Sequence, residues 1–235
     1  MPGKAPPVSL AALEIKGLGA IALSPVRAAV RVPGAGKGQP VITIPGMMSG
    51  DRSISFLRRS LGASGYDARK SGILFHAVAT KESVAGVEQQ LASIHAETGQ
   101  KVALIGWSLG GLYARILAHR QPQMVSAVIT LGTPFSGDPH ANNAWRLYEM
   151  LSGHKVTQSP FAENFAHKPP LPTAAFWSPN DGIVSPENAR GAPEESDRQE
   201  QVSESHFELA TRSASVRRII EVLTDMLERS TQRAR

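Results

Sequence analysis

The chain has 235 residues, 41% hydrophobic and 19% charged, the composition of an ordinary globular protein long enough for one mid-sized domain with a substantial core. It has no cysteine, which excludes disulfides, thiolate metal sites and a cysteine nucleophile. Its formal net charge of +5 comes from Lys and Arg spread along the chain without a dense basic run, which predicts a solvated basic surface and no nucleic-acid partner.

The first 25 residues, MPGKAPPVSLAALEIKGLGAIALSP, contain an apolar stretch broken by Glu14 and Lys16, a poor core for a signal peptide. No uninterrupted apolar run approaches the ~20 residues of a membrane span. The expectation is a soluble, cytoplasmic protein in which residues 8–30 form a helical lead-in packed on the domain. GAGKGQP (34–40) reads as a loop from its Gly and Pro content. VITIPG (41–46) is a short β-branched run ended by Pro-Gly, hence a buried strand. Asp51 or Ser53 is expected to cap the next helix, whose Ile54, Phe56, Leu57 and Leu61 follow helical spacing, with Gly65 closing it. YDARKSGILFHAVA (66–79) holds a further strand.

Residues 82–98 form a helix with Val84, Val87, Leu91 and Ile94 on one face. KVALIG (101–106) is a fully buried strand. LGGLYARILAHR (109–120) is a helix stopped by Pro122. MVSAVITLG (124–132) and TAAFWS (173–178) are buried strands, and RQEQVSES (198–205) is a more polar strand near the sheet edge. Residues 215–229 form the last helix, with Val216, Ile219, Ile220, Leu223 and Leu227 inward. Alternating short buried strands and amphipathic helices predict an α/β domain, residues 1–235, with a mainly parallel sheet and helices on both faces. Residues 133–172 break the rhythm: they are too long for a simple connection and contain NNAWRLYEMLSG and FAENFAHKPPLP. They are read as an insertion above the carboxyl edge of the sheet, where ligands bind in open α/β sheets, forming a cap or lid.

The chemistry centres on Gly106-Trp107-Ser108-Leu109-Gly110. The Gly-x-Ser-x-Gly pattern alone is weak, but here it follows a buried strand and opens a helix. A turn that tight leaves no room for side chains at 106 and 110, and it lifts the Ser108 hydroxyl clear of the sheet. The helix N-terminus beneath offers free N–H groups and a positive dipole end to an oxyanion.

A serine nucleophile needs a base and an orienting acid, and on this topology they follow in the order acid, then histidine. Of the seven histidines, His206 alone lies beyond a late acid and directly after the final strand. His119 ends the helix that starts at Ser108 and is expected to face away. His140, His154 and His167 sit in the insertion, within reach of a substrate. Asp181, in the turn SPNDGIV after a strand, is the expected acid; Asp138 in TPFSGDPH is the alternative, and Glu204 is too close in sequence to His206 to orient it. The N–H groups of Met47, in IPGMMSG, and Leu109 are the expected oxyanion donors. Ser49 competes as a serine in that loop, but helix capping is its expected role. Met48, Trp107, Trp145, Tyr148 and Phe207 are the side chains expected at the substrate.

The segments PGMMSGDRSISFLRRSLGASGYD, VALIGWSLGGLYAR, SAVITLGTPFSGD, SPNDGIV and SESHFELA, in this order over roughly residues 38–228, resemble the α/β-hydrolase superfamily on its esterase and lipase side. The resemblance implies a Ser108–Asp181–His206 triad, an acyl-enzyme intermediate and neither cofactor nor metal. One departure is Pro45-Gly46, where many relatives carry His-Gly before the first oxyanion donor. The expected activity is hydrolysis of carboxylic esters, rising with pH around a histidine pKa of roughly 6 to 7. Thioesterase, lactonase, amidase or acyltransferase chemistry on the same triad, or a non-catalytic binding protein, are the alternatives. An apolar lid predicts medium or long acyl chains, and the basic surface adds peripheral contact with an anionic lipid interface. The oligomeric state is left open.

Overall fold

A computed structural model describes residues 4–233. In chain order the elements are α1 (Val8–Leu23), β1 (Pro40–Ile44), α2 (Ser55–Ala63), β2 (Asp67–Lys70), α3 (Lys81–Thr98), β3 (Val102–Trp107), α4 (Leu109–Arg120), β4 (Val125–Leu131), α5 (Trp145–Ser152), β5 (Thr173–Trp177), α6 (Pro186–Arg190), β6 (Arg198–Gln201) and α7 (Ser213–Arg233). The six strands form one parallel sheet in the order β2-β1-β3-β4-β5-β6.

Strand alternation divides the core into two layers. Ala103, Ile105 and Trp107 of β3 join Phe56, Leu57 and Leu61 of α2 and Val216, Ile219, Ile220 and Leu223 of α7 on one face. Val102 and Leu104 join Val84, Val87, Leu91 and Ile94 of α3 and Tyr113, Ile116 and Leu117 of α4 on the other. Each fully buried aliphatic side chain stabilises the fold by roughly 1.5–3 kcal/mol relative to an exposed one. Both sheet edges are polar: β2 reads DARK and β6 reads RQEQ. Arg198 of β6 pairs with Asp225 of α7, and Arg218 of α7 reaches Glu200 at 2.8 Å.

Two local expectations change. The lead-in helix ends at Leu23 rather than running to residue 30, because Pro25 has no N–H with which to continue the helical ladder. The chain then runs along α2, with the N–H groups of Val30 and Val32 donating to the hydroxyls of Ser60 (3.0 Å) and Ser64 (2.9 Å). Helix α2 has no side-chain cap. The Asp51 carboxylate instead accepts from the Ser71 and Gly72 N–H groups, both at 3.0 Å, and so ties down the turn after β2. The Ser53 hydroxyl donates to the Gly50 carbonyl.

The chain passes from β1 to the outer β2 and returns through α3 to β3 on the other side of β1. The carboxyl ends of β1 and β3 therefore lie side by side at the point where strand order reverses, where an open α/β sheet offers a crevice. The loops after these two strands begin at Pro45 and Ser108. Residues 133–172 leave β4 and return at β5, and α5 is their one helix. No helix among the described residues is long and apolar enough to cross a membrane.

Candidate active site

Ser108 sits between β3 and α4 at φ 52° and ψ −120°, left-handed backbone that a residue with a side chain rarely adopts. Bonds on both sides hold it there. Its N–H donates to the Leu131 carbonyl at 2.8 Å, and its own carbonyl accepts from Gly111 N–H (3.0 Å) and the Thr133 hydroxyl (2.9 Å). The flanking glycines are required by close approach: a Cβ on Gly106 would lie 2.2 Å from the Gly110 carbonyl oxygen, and one on Gly110 would lie 2.3 Å from that of Ile44.

The loop after β1 packs directly on this turn. A Cβ added to Gly46 would sit 3.2 Å from the Ser108 Cβ. Among the described residues neither the Met47 N–H nor the Leu109 N–H donates to a protein acceptor. The peptide joining Gly46 to Met47 is fixed from its other end. Its carbonyl accepts from the Ser49 hydroxyl at 2.7 Å and from His76 Nε2 at 2.6 Å. Because a carbonyl only accepts, Nε2 carries the proton, which leaves His76 Nδ1 to accept from the Tyr113 hydroxyl at 3.4 Å. Burial lowers the His76 pKa below its usual range against the opposing pull of the Gly46 and Pro45 carbonyls, so the ring is neutral. In a trans peptide the N–H points opposite to the C=O, so these two bonds also aim and polarise the Met47 N–H.

Asp181 and His206 come from the loops after β5 and β6, and both are buried. Asp181 Oδ2 lies 2.8 Å from His206 Nδ1. Its Oδ1 accepts from the Ile183 and Val184 N–H groups at 2.9 and 2.8 Å, which fixes the carboxylate plane. Gly132, at φ 55°, leaves the space for this pair: a Cβ there would lie 2.9 Å from Asp181 Oδ2 and 3.0 Å from His206 Nδ1. Burial pushes the His206 pKa down, but the charges of Asp181 and Glu14 outweigh it, and the net shift is upward from 6.5. Among the described residues no hydrogen bond joins the Ser108 hydroxyl to the His206 ring.

Ser108 opens onto a cavity of about 350 Å³. Met47, Leu112, Phe135, Trp145, Tyr148 and Phe161 are prominent in its largely apolar wall, much of it contributed by residues 134–166. Arg115 of α4 holds this wall in place. Its fully buried guanidinium donates to the carbonyls of Phe165 (2.5 Å), Ala166 (3.1 Å), His167 (2.9 Å) and Glu195 (3.0 Å). The Phe135 ring lies 4.1 Å from it.

A family model described as the alpha/beta hydrolase fold matches residues 64–168. A triacylglycerol lipase of Burkholderia plantarii is 31% identical over 147 residues, covering 57% of this chain and 40% of the lipase. The chain thus spans about two fifths of the length of that curated relative. A lipase of Bacillus licheniformis, BlEst2 in mature form, superposes with a TM-score of 0.60 at 17% identity, over 84% of this chain and 96% of its own. A monoacylglycerol lipase of Paleococcus ferrophilus gives 0.56 at 16% identity, over 80% and 96%. The chain has the α/β-hydrolase fold. Within the hydrolase fold the family match contains Ser108 and Leu109, whereas Met47, Asp181 and His206 lie outside it.

Of the other residues expected at the site of this hydrolase fold, Trp145 and Tyr148 line the cavity, and Met48, Trp107 and Phe207 do not. Met48 is 48% exposed and has a φ of 56°. Trp107 is buried against His206, its indole N–H donating to the His206 carbonyl at 3.1 Å. Phe207 packs edge-on against Trp107 and the His206 ring rather than lining the cavity. Asp138, the alternative acid, is bonded to His140 at 3.0 Å. Glu204 accepts from Ser203 N–H. His119 bonds the His167 carbonyl at 3.0 Å, and none of His140, His154 and His167 lines the cavity. Ser49 bonds Gly46 and caps no helix.

Sequence reasoning missed His76, Arg115, Gly132 and Glu14. Their partners lie far along the chain, and only the charge of Glu14 in an apolar run marked it as unusual. Among the described residues no three His, Asp or Glu side chains stand close enough together to hold a metal ion.

Proposed function

We propose that this chain is a serine hydrolase of carboxylic esters with an apolar acyl portion. The observation that carries the reading is the strained, half-buried Ser108 lining an apolar cavity in a sheet whose later loops supply a buried Asp181–His206 pair. Strained backbone at a cavity mouth marks a side chain held for chemistry rather than for packing.

In this mechanism the free Nε2 of His206 takes the Ser108 proton as Oγ attacks the ester carbonyl. The charge that develops on the carbonyl oxygen is met by the Met47 and Leu109 N–H groups, each contributing about 3 kcal/mol to the transition state. His206 then protonates the leaving alcohol, and the acyl group stays on Ser108. A water deprotonated by His206 attacks the acyl-enzyme and releases the acid. Asp181 holds Nδ1–H, which keeps Nε2 free as the base and stabilises the imidazolium. The proton transfer requires Ser108 Oγ and His206 to draw together once substrate is bound, as is common for catalytic hydrogen bonds that are loose in the free enzyme.

Residues 133–172 act as the cap that selects substrate, with Trp145, Tyr148 and Phe161 in contact with the acyl chain. The exposed apolar side chains of α5, Leu147, Met150 and Leu151, suit approach to a lipid interface. The names of the relatives support lipase and esterase chemistry over the alternatives on the same triad.

The test is intact mass after treatment with a fluorophosphonate. A single adduct on wild type and none on Ser108→Ala is the expected result, followed by greater kcat/KM for octanoyl than acetyl p-nitrophenyl esters. A folded wild type that takes no adduct would overturn the reading.

A further inference from the structure

Helix α1 lies outside the matched residues 64–168, yet it packs against the short helical turn His206–Glu208 that carries the candidate base. The contact is close: a Cβ on Gly17 would stand 2.7 Å from the Phe207 Cβ. At its centre is Glu14, a carboxylate 3% exposed. Oε1 accepts from Gly182 N–H and from His206 N–H, both at 2.8 Å, and Oε2 accepts from Phe207 N–H at 3.1 Å. Gly182 follows Asp181 directly, so one side chain grips the loop of the acid and the loop of the base at once. Gly182 is held from its carbonyl as well, because Asn143 Nδ2 donates to the Gly182 carbonyl (2.7 Å) and to the Pro6 carbonyl (3.0 Å).

We propose that Glu14 is a positioning residue: its buried carboxylate clamps the Asp181 loop to the His206 loop and sets the distance at which acid and base meet. A burial this complete is costly for a carboxylate unless its acceptors are filled, and here three backbone N–H groups fill them. Alanine at 14 would leave those donors unpaired in the interior, and a surface role would have needed none of them. The carboxylate also adds negative charge near the imidazole. The titratable groups facing His206 are Asp181 and Glu14; on its own turn Glu208 is engaged with Arg212 at 3.4 Å. The inference rests on the hydrolase reading for its consequence in catalysis, but the clamp is a property of the fold and can be tested without turnover.

The experiment follows the His206 ring and the three amides by NMR in wild type and Glu14→Gln, assigning the ring signal by its loss in His206→Asn. Glutamine keeps the shape but loses the charge and offers an N–H where Phe207 needs an acceptor. In Glu14→Gln the His206 titration is expected to fall by roughly half a pH unit or more, since less negative charge faces the imidazolium. The Gly182, His206 and Phe207 amide protons should exchange at least tenfold faster, with the rest of the sheet unchanged, and fluorophosphonate labelling should slow about tenfold or more. An unshifted titration with labelling within twofold of wild type would overturn the proposal, as would a uniform loss of protection across the sheet. If Glu14→Gln does not fold, wild type still decides: the clamp requires slow exchange at Gly182, His206 and Phe207, and fast exchange there would sink it. A wild type that never labels defeats the hydrolase reading alone, because titration and exchange still report on the clamp.

Discussion

Asp181 and His206 meet out of contact with solvent, Oδ2 to Nδ1 at 2.8 Å, in a space that exists because residue 132 has no side chain. The bond does two things. It leaves Nε2 free of Asp181, and with Glu14 it raises the affinity of the ring for a proton.

The pH profile of activity should show that second effect. On the proposed mechanism only neutral His206 can accept the serine proton, so activity should be lost as pH falls through its pKa. Because that pKa is raised, the acid limb of kcat/KM should lie above 6.5, higher than an unperturbed histidine would give. Asp181→Asn should bring the limb down and reduce kcat by roughly a thousandfold or more. A wild-type limb below 6.5 would contradict this balance of charges.

Gly132→Ala tests the spacing of the pair. The new methyl would meet Asp181 and His206 at or inside 3.0 Å, on backbone at φ 55° that alanine resists by about 1–2 kcal/mol. Activity should fall at least a hundredfold, since misplacing a catalytic group by an ångström costs that much. The melting temperature should drop by only a few degrees. Full activity in this variant would mean that the acid and base do not need the observed separation.

His76 and Ser49 make a paired prediction about the Met47 N–H. Removing one donor to the Gly46 carbonyl should cost about 1 kcal/mol, or roughly fivefold in kcat, with KM little changed. Ser49→Ala and His76→Gln are the variants, and steady-state kinetics on one short ester is the readout. His76 also has a stability signature. Its folded pKa lies below that of the unfolded chain, so its contribution is present above 6.5 and is lost as pH falls. The stability gap between wild type and His76→Gln, measured by urea unfolding, should therefore narrow from about pH 8 to about pH 5. A raised His206 pKa acts in the opposite sense, contributing below 6.5 and fading as pH rises, so the comparison must be made with His206 intact.

Arg115→Met should free the cavity wall. Four carbonyls would lose their partner in the interior, a destabilisation on the order of 3 kcal/mol by urea unfolding. Limited proteolysis should then cut within residues 161–167 first. Arg115→Lys should rescue little, because an ammonium is a point charge and cannot span the same acceptors as a planar fork. An undisturbed proteolytic pattern would show that the wall is held by its apolar packing instead.

What could be read from the sequence was what is written locally. Buried strands such as VALIG and VITI, and helices with Val84, Val87, Leu91 and Ile94 on one face, carry their periodicity in a few adjacent residues. The turn at Ser108 is local only in part: Gly106 answers to a clash with Gly110 four positions on, whereas Gly110 answers to the Ile44 carbonyl on β1. The expected acid and base were reached through chain order, and the structure brings Asp181 and His206 together. The remainder depends on contacts with no local trace. Glu14 meets His206 across 192 positions, and His76 meets Gly46 across 30. Asp51 and Ser49 read as helix caps because such residues often are; the structure gives them nearer partners in the loops. Trp107 and Phe207 were expected at the substrate, but their rings pack against each other and against the His206 ring.

Both outer strands of the sheet carry charge where another chain would have to pair. Asp67, Arg69 and Lys70 stand on β2, and Arg198 and Glu200 on β6, each side already engaged in ion pairs with its own helices or neighbours. Extending the sheet from one copy into the next would strip water from these groups without offering new partners. The sheet is therefore closed to growth at its margins, a safeguard against edge-to-edge aggregation built from side chains rather than from a covering segment.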